Sequence, residues 1–220
     1  MTLLPESFVT ARLRAERMSQ THLSFITAMH ADAALMATMG GTRDAASSRR
    51  YVQHNLLHWA EQGYGMYVLT ERDTGALAGR AGLKLAVSGK VERVEIAYAF
   101  QAACWGRGYA SEITRALLAL GFERLPVQVL SAVAVVTNPA SLRVMEKCGL
   151  RWIETTGEGD ARKLRYEIRR EQWQALASCD GVAPLAGSLP EPAEKPATGE
   201  APAHRAGGCL LYTSPSPRDS

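Results

Sequence analysis

The spacing of apolar residues predicts helices in the first third of the chain. Residues 20–39 are rich in Ala, Leu and Met and end at a Gly-Gly pair, so they are predicted to form one or two helices. Residues 45–62 carry apolar side chains every three or four positions, between an N-capping Asp44 and a terminating Gly63. This pattern predicts a longer amphipathic helix.

An alternating pattern replaces the helical period in the middle of the chain. Residues 66–69 and 77–87 flank the turn sequence Asp73-Thr74-Gly75, which predicts a β-hairpin. Residues 91–100 alternate and predict a further strand, with a short strand also predicted at residues 10–14. One face of the 91–100 strand carries Val94, Ile96, Tyr98 and Phe100, and the other carries Glu95, Ala97 and Ala99. Three adjacent extended segments joined by short turns indicate an antiparallel meander.

The second half of the chain predicts a β-α-β unit. Residues 108–122 have helical spacing, and residues 127–136 form a nearly continuous apolar run, which is typical of a buried central strand parallel to the strand before the helix. A helix then begins at Asn138-Pro139, and two final strands follow it. We therefore expect an α/β (α+β) fold, in which a mixed, mostly antiparallel sheet contains a central β-α-β unit and has helices on both faces.

Composition divides the chain into a domain and a tail. All four tryptophans precede residue 179, whereas seven of the ten prolines follow residue 178. We expect a single folded domain at residues 1–178 and a disordered Pro/Ala/Gly-rich tail at residues 179–220. The last part of that tail, residues 209–220, resembles translated sequencing-adapter read-through rather than native sequence.

The charge and the cysteines exclude several classes of protein. The tail carries three basic and five acidic residues, so the net charge of +3 becomes +5 for residues 1–178. That charge is too low and too interleaved for a nucleic-acid-binding stripe, and it suits a small anionic ligand better. The four cysteines lack metal-ligand spacing, and the apolar runs are too short to span a membrane. We expect a cytoplasmic protein without a metal, a nucleic-acid partner or a membrane partner.

Two segments carry candidate chemistry. In the first, Trp105-Gly106-Arg107-Gly108-Tyr109-Ala110 opens a helix, and its glycines would let backbone N–H groups approach an anion such as a pyrophosphate. A purely structural turn would use the same residues, and both interpretations remain open. The second segment, residues 138–150, is a capped helix that follows the next strand. Together they place two helix N-termini at the carboxyl ends of neighbouring strands, where α/β sheets bind ligands.

With Val94-Glu95-Ile96-Ala97-Tyr98, these segments resemble the GNAT N-acetyltransferases. Within that family they resemble the RimJ/RimL-type branch, the ribosomal-protein alanine N-acetyltransferases, over about residues 8–175. The resemblance implies a single GNAT fold and transfer of an acetyl group from acetyl-CoA to a primary amine. Trp105 stands where the general GNAT pattern has Gln or Arg, and this departure favours the RimJ/RimL branch.

The resemblance also implies roles for individual residues. The cofactor-binding residues would be Phe100, Gln101, Ala102, Trp105, Gly106, Arg107, Gly108, Tyr109, Ala110, Asn138 and Ser141. The backbone of residues 107–110 would hold the pyrophosphate, the strand end at residues 100–102 would pair with the pantetheine arm, and Asn138 would bind near the thioester. Many GNAT enzymes have Tyr seven residues after the Asn to protonate the leaving thiolate, but this chain has Met145. Ser141 resembles the serine assigned to that role in the RimJ/RimL branch.

The chemistry also requires a proton acceptor and an oxyanion donor. An alkylamine is mostly protonated at neutral pH, and Glu95 could accept its proton directly or through water. An ordinary solvated or ion-paired strand carboxylate is the alternative interpretation of Glu95. A backbone N–H near residues 100–102 would stabilise the oxyanion.

Three other residues are assigned to structure rather than to chemistry. His54 and His58 are interpreted as part of a solvated helix face, and Cys104 as a packing residue.

The sequence leaves one favoured acceptor and two alternatives open. A protein or peptide N-terminus, ribosomal or otherwise, is favoured. A small-molecule acceptor such as a polyamine, an amino acid or an aminoglycoside is the first alternative. The second is a non-catalytic acyl-CoA-binding regulatory module. We expect a monomer or a homodimer.

Overall fold

A computed structural model describes residues 3–88 and 91–180 of the chain. Eight strands form one sheet: β1 (Ser7–Val9), β2 (Leu13–Arg17), β3 (Met66–Glu71), β4 (Leu77–Ser88), β5 (Val91–Phe100), β6 (Val129–Val135), β7 (Arg151–Thr156) and β8 (Lys163–Arg169). Their order across the sheet is β1-β2-β3-β4-β5-β6-β8-β7. Only β5 and β6 pair in parallel among the described strands, and the other neighbours pair antiparallel.

Six helices accompany the sheet: α1 (Leu23–Ala31), α2 (Ala33–Met36), α3 (Ala45–Gln62), α4 (Tyr109–Arg124), α5 (Pro139–Lys147) and α6 (Arg170–Asp180). Short 3-10 turns occupy Gln20–His22, Ala102–Cys104 and Gly159–Ala161. None of the helices in the described ranges is long and apolar enough to cross a membrane. Residues 181–220 of the predicted tail lie outside the described residues.

The predicted helix boundaries are confirmed by local chemistry. Asp44 caps α3, because its carboxylate accepts a hydrogen bond from the Ser47 N–H at 2.7 Å. Gly63 ends this helix with a φ of 72°, a left-handed conformation that glycine adopts without steric cost. At α5, Asn138 is the cap and Pro139 is the first helical residue.

The two faces of the sheet pack against different helices. Alternate residues of β3 divide between two apolar clusters, so that Met66 and Val68 contact α1, α2 and α3, whereas Tyr67 and Leu69 belong to the larger cluster that includes α4. This arrangement confirms the expected mixed sheet with helices on both faces.

The predicted strand at residues 10–14 is wrong in position. Thr10 lies in the turn between β1 and β2, where its hydroxyl accepts a hydrogen bond from the Leu13 N–H at 3.1 Å. This side-chain bond to the backbone stabilises a turn instead of an extended segment.

The parallel pair at the centre of the sheet is short. The register of β5 with β6 covers only Glu95 with Ser131 and Ile96 with Ala132, although both strands continue beyond these residues. The carboxyl ends of β5 and β6 therefore part from each other. The gap between them places the N-termini of α4 and α5 on either side of one opening.

Candidate active site

A cavity of about 550 Å³ lies where β5 and β6 part. It extends from the α2 side of the sheet to the first turns of α4 and α5. Its lining includes Leu35, Thr38, Met39, Tyr98, Ala99, Phe100, Trp105, Gly106, Gly108, Tyr109, Ala110, Asn138, Ser141, Arg143 and Lys147. The structure thus brings together most of the residues that the sequence predicted for cofactor binding.

The start of α4 presents backbone donors to this cavity. Gly106 and Gly108 have φ values of 72° and 82°, and no side chain caps the helix. The first-turn N–H groups of a helix have no partner within the helix, and the helix dipole adds partial positive charge there. A pyrophosphate fits this position, because the glycines leave the backbone open to a ligand.

Arg12 stabilises the loop before α4. The Arg12 guanidinium donates to the Arg107 carbonyl at 2.8 Å and to a Glu112 carboxylate oxygen at 2.7 Å. It also lies over the Tyr109 ring, 4.7 Å from the centroid. These contacts connect the turn before β2 to the first turn of α4 and fix the backbone that faces the cavity.

The Arg107 side chain points away from the cavity. Its guanidinium forms an ion pair with Glu71 at the end of β3 and also lies over the Tyr109 ring, 4.6 Å from the centroid. Burial alone would raise the pKa of Glu71, but the hydrogen bonds from Arg107 and Thr74 and the charge of Arg107 together outweigh burial and hold the pKa below its usual value. At this position, only the backbone is placed to contact an anion.

Trp105 connects the loop to the strand that precedes it. The indole N–H donates to the Phe100 carbonyl at 2.8 Å, while about half of the residue stays exposed at the cavity wall. The Gln101 N–H donates to the Ala78 carbonyl on β4 at 2.9 Å. Because hydrogen-bonding direction alternates along a strand, the backbone groups of Phe100 and Tyr98 face the gap instead.

Asn138 connects the two sides of the cavity. Its side-chain oxygen accepts from the Ser141 N–H at 3.1 Å, and its amide nitrogen donates to the Thr38 hydroxyl at 3.1 Å. Ser141 lies on the cavity wall, one helical turn away. Met145 is only 1% exposed and packs in the main apolar cluster, so this position of α5 offers nothing to the cavity.

Tyr98 is a cavity residue whose role the sequence reasoning missed. Its hydroxyl donates to the Ser141 carbonyl at 3.3 Å, across the gap between β5 and α5. Burial raises the pKa of Tyr98 to about 12, so the hydroxyl keeps its proton at neutral pH. The sequence did contain a signal for this role: Tyr98 places a hydroxyl on the apolar face of a strand that ends just before the glycine loop.

Glu95 is not among the residues that line the cavity. Its carboxylate lies 3.2 Å from the Lys84 ammonium on β4, and its side chain is 12% exposed. Its Cα lies four residue steps along β5 from that of Ala99 at the cavity wall, a distance of about 13 Å at about 3.3 Å per residue. The structure therefore favours the ion-paired interpretation for the resting position of this side chain.

Two other residues have structural roles. His58 accepts the Leu85 N–H at Nε2 (2.9 Å), so its Nδ1 carries the proton that it donates to the Tyr64 carbonyl (2.9 Å). This bonding attaches α3 to β4, and the described residues contain no cluster of three potential metal ligands. Cys104 is buried beside Glu71, and burial raises the pKa of its thiol.

A β-α-β unit with parting strands, an open helix N-terminus and a cavity joining both faces of the sheet is the architecture of an acetyltransferase. The model of the acetyltransferase (GNAT) domain matches residues 12–151, and the chain belongs to the GNAT family. It is an N-acetyltransferase that uses acetyl-CoA as its acetyl donor.

Similar proteins agree with this classification. The uncharacterized protein YkkB of Bacillus subtilis is 31% identical over 153 residues, which cover 67% of this chain and 86% of YkkB. RimL, the ribosomal L7/L12 alpha-N-protein acetyltransferase solved with coenzyme A, matches with a TM-score of 0.62 and 18% identity over 74% of this chain and 96% of RimL. Spermidine N-acetyltransferase from Vibrio cholerae, solved with CoA and spermine, matches with a TM-score of 0.61 and 15% identity over 74% of this chain and 98% of that enzyme. At these identities the two structures show the same fold.

Proposed function

We propose that this enzyme acetylates the N-terminal amine of a protein or peptide and belongs to the RimJ/RimL-type branch. The proposal is supported mainly by the charges of the residues that line the cavity. None of the described residues that line it is Asp, Glu or His, and its charged members are Arg143 and Lys147. Trp105 at the start of the phosphate loop and the structural likeness to RimL support the same branch.

A polyamine acceptor fits this wall poorly. Burying several ammonium groups requires carboxylate partners, because unpaired charges are costly to remove from water. A peptide N-terminus brings one amine and a largely neutral backbone. The same argument disfavours aminoglycosides, which also carry several ammonium groups.

Acetyl-CoA, the acetyl donor, is expected to bind in the gap between the carboxyl ends of β5 and β6. The N–H groups at the start of α4 bind the pyrophosphate, and Arg143 and Lys147 supply positive charge on the opposite wall. The backbone groups of Phe100 and Tyr98 that face the gap pair with the pantetheine arm. When bound, acetyl-CoA supplies a thioester carbonyl that an amine can attack.

Three side chains are assigned to proton transfer, leaving-group stabilisation and positioning. Glu95 accepts the proton of the incoming ammonium through intervening water, because its carboxylate lies too far along β5 for direct contact. On the opposite side of the gap, Ser141 hydrogen-bonds the leaving sulfur. The Tyr98 hydroxyl bonds to the Ser141 carbonyl, so it positions this turn of α5.

The proposal is tested by following free thiol release from acetyl-CoA with matched acceptors. One panel contains short peptides with free N-termini, and a second contains the same peptides with blocked N-termini. A third contains spermidine, aminoglycosides and free amino acids. We expect turnover with free N-termini and none with blocked ones. Turnover confined to the polyamines or aminoglycosides would overturn the acceptor assignment.

A further inference from the structure

Arg80 is a buried cation without an anionic partner. It lies on β4 and is only 5% exposed. Its Nη1 donates to the Tyr51 hydroxyl, but its Nε has no hydrogen-bond partner, and no described carboxylate forms an ion pair with it. An arginine is rarely buried unless its charge is paired, because desolvating an unpaired guanidinium is costly.

His30 provides a second unsatisfied atom beside the same ring. Its Nδ1 lies 2.9 Å from the Ser48 hydroxyl, which already donates its own hydrogen to the Asp44 carbonyl. The imidazole therefore carries its proton on Nδ1, and the buried Nε2 keeps a lone pair with no partner. The His30 ring meets Tyr51 edge to face at 5.0 Å, and the Arg80 guanidinium carbon lies 4.5 Å from the Tyr51 centroid.

Arg43 adds a second positive charge to this cluster. Its guanidinium carbon lies 6.0 Å from the Tyr51 centroid, and its backbone N–H donates to the His30 carbonyl at 2.9 Å. Within the described ranges, Arg43 also has no ion-pair partner. Two guanidinium groups thus flank one tyrosine. The nearest carboxylate along the chain, Asp44, is exposed and caps α3.

Arg80 lies one strand away from the cavity wall. In the register of β4 with β5, Arg80 is directly opposite Ala99, which lines the cavity. Residues opposite each other in an antiparallel pair lie about 5 Å apart and project to the same face of the sheet. Ala99 belongs to the cluster formed with α1, α2 and α3. The Arg80 side chain therefore projects to the same face of the sheet as Ala99.

The unused edge of Arg80 has a defined chemistry. Tyr51 occupies Nη1, which leaves Nε and Nη2 as a parallel pair of N–H donors. Such an edge matches the two oxygens of a carboxylate. We propose that Arg80, supported by Arg43, binds a carboxylate of the acceptor, so that the preferred acceptor is a primary amine with a carboxylate within one residue of it. This inference rests on the proposed acetyl transfer to an amine.

Two kinds of acceptor present this chemistry: a peptide whose first residue is acidic, and a free amino acid. The test uses matched pairs that differ only in charge. Peptides beginning with Asp or Glu are compared with those beginning with Asn or Gln, and free amino acids are compared with their α-amides. We expect the acidic member to have a KM lower by about 10- to 100-fold, the range for a hydrogen bond to a charged group.

Arginine variants test whether Arg80 and Arg43 cause the preference for acidic acceptors. Arg80→Gln should abolish the KM difference while leaving the KM for acetyl-CoA unchanged, and Arg43→Gln, at a partly exposed position, should reduce it. Arg49→Gln, an exposed arginine on α3, is the matched control and should retain the full difference. If Arg80→Gln does not fold, the Arg43→Gln result decides.

The outcomes separate this inference from the proposed function. Equal KM values for acidic and neutral acceptors, with turnover of both, overturn the carboxylate site and leave acetyl transfer intact. A preference that survives in Arg80→Gln and Arg43→Gln also overturns it. Absence of thiol release with every amine, amides included, overturns the proposed function together with this inference.

Discussion

Ser141 and Tyr98 both carry hydroxyl groups and both line the cavity. The Tyr98 hydroxyl donates a hydrogen bond to the Ser141 backbone carbonyl across the gap. Met145, at the position where many family members have tyrosine, is buried in the core. A hydroxyl that assists the leaving group must therefore come from another position.

Ser141→Ala should lower kcat by about 10- to 100-fold with little change in the KM for acetyl-CoA, because the hydroxyl acts on the leaving sulfur rather than in ground-state binding. Steady-state kinetics of thiol release measures both quantities. Ser111→Ala, which removes another hydroxyl from the cavity wall, is the control and should keep kcat within about twofold of the wild-type value. A Ser141→Ala enzyme with unchanged kcat would remove Ser141 from the mechanism.

Buried His30 makes the stability of the fold depend on pH. Burial, with help from Arg80 and Arg43, lowers the pKa of His30 to about 4, whereas the unfolded value is 6.5. As the pH falls below 6.5 the unfolded chain binds a proton first, so the contribution of the neutral form is complete above that pH and is lost towards pH 4. The loss is on the order of 3 kcal/mol. Denaturant unfolding at pH 7 and pH 4.5 measures this loss. The difference in the free energy of unfolding between the two pH values should be smaller for His30→Gln than for the wild type. The exposed His54→Gln should show the same difference as the wild type.

At the scale of elements, the sequence predicted the helix boundaries that depend on local signals. The α3 cap at Asp44, its end at Gly63 and the start of α5 at Asn138 were predicted because each depends on a few neighbouring residues. The turn at Thr10 and the partner of Glu95 were not, because both involve residues distant in sequence. The Thr10 hydroxyl donates to Glu112 on α4 at 2.6 Å, and Glu95 pairs with Lys84 on β4. The Arg80 cluster joins α1, α3 and β4, which no linear spacing reveals.

The glycine loop before α4 can be tested as an element. Gly108→Ala should cost about 1 kcal/mol of stability, because an alanine at a φ of 82° is strained. It should also raise the KM for acetyl-CoA, because relief of that strain would displace the backbone N–H groups at the start of α4. Gly75→Ala has a similar φ of 73° outside the cavity and should reproduce the stability loss alone. Equal KM values for both variants would contradict a donor-binding role of this loop.

At the scale of the whole molecule, the family model and the cavity lie within the first 151 residues, and the last elements act as support. Arg170 at the start of α6 donates to the carbonyls of Leu125 and Val127 at 3.0 and 2.8 Å. Trp173 packs against the main apolar cluster. These contacts fasten α6 to the connection between α4 and β6, so the folded unit extends beyond the family match.

Residues 181–220 are proposed to contribute nothing to folding or donor binding, because their Pro, Ala and Gly content leaves little apolar surface to bury. A chain that ends at residue 180 should keep its free energy of unfolding within about 0.5 kcal/mol and its KM for acetyl-CoA unchanged. A chain that ends at residue 169 is the matched comparison, and it should be destabilised because it loses Arg170 and Trp173. Denaturant titration and thiol-release kinetics measure the two effects. A loss of stability or donor affinity in the longer chain would show that the folded unit includes residues beyond 180.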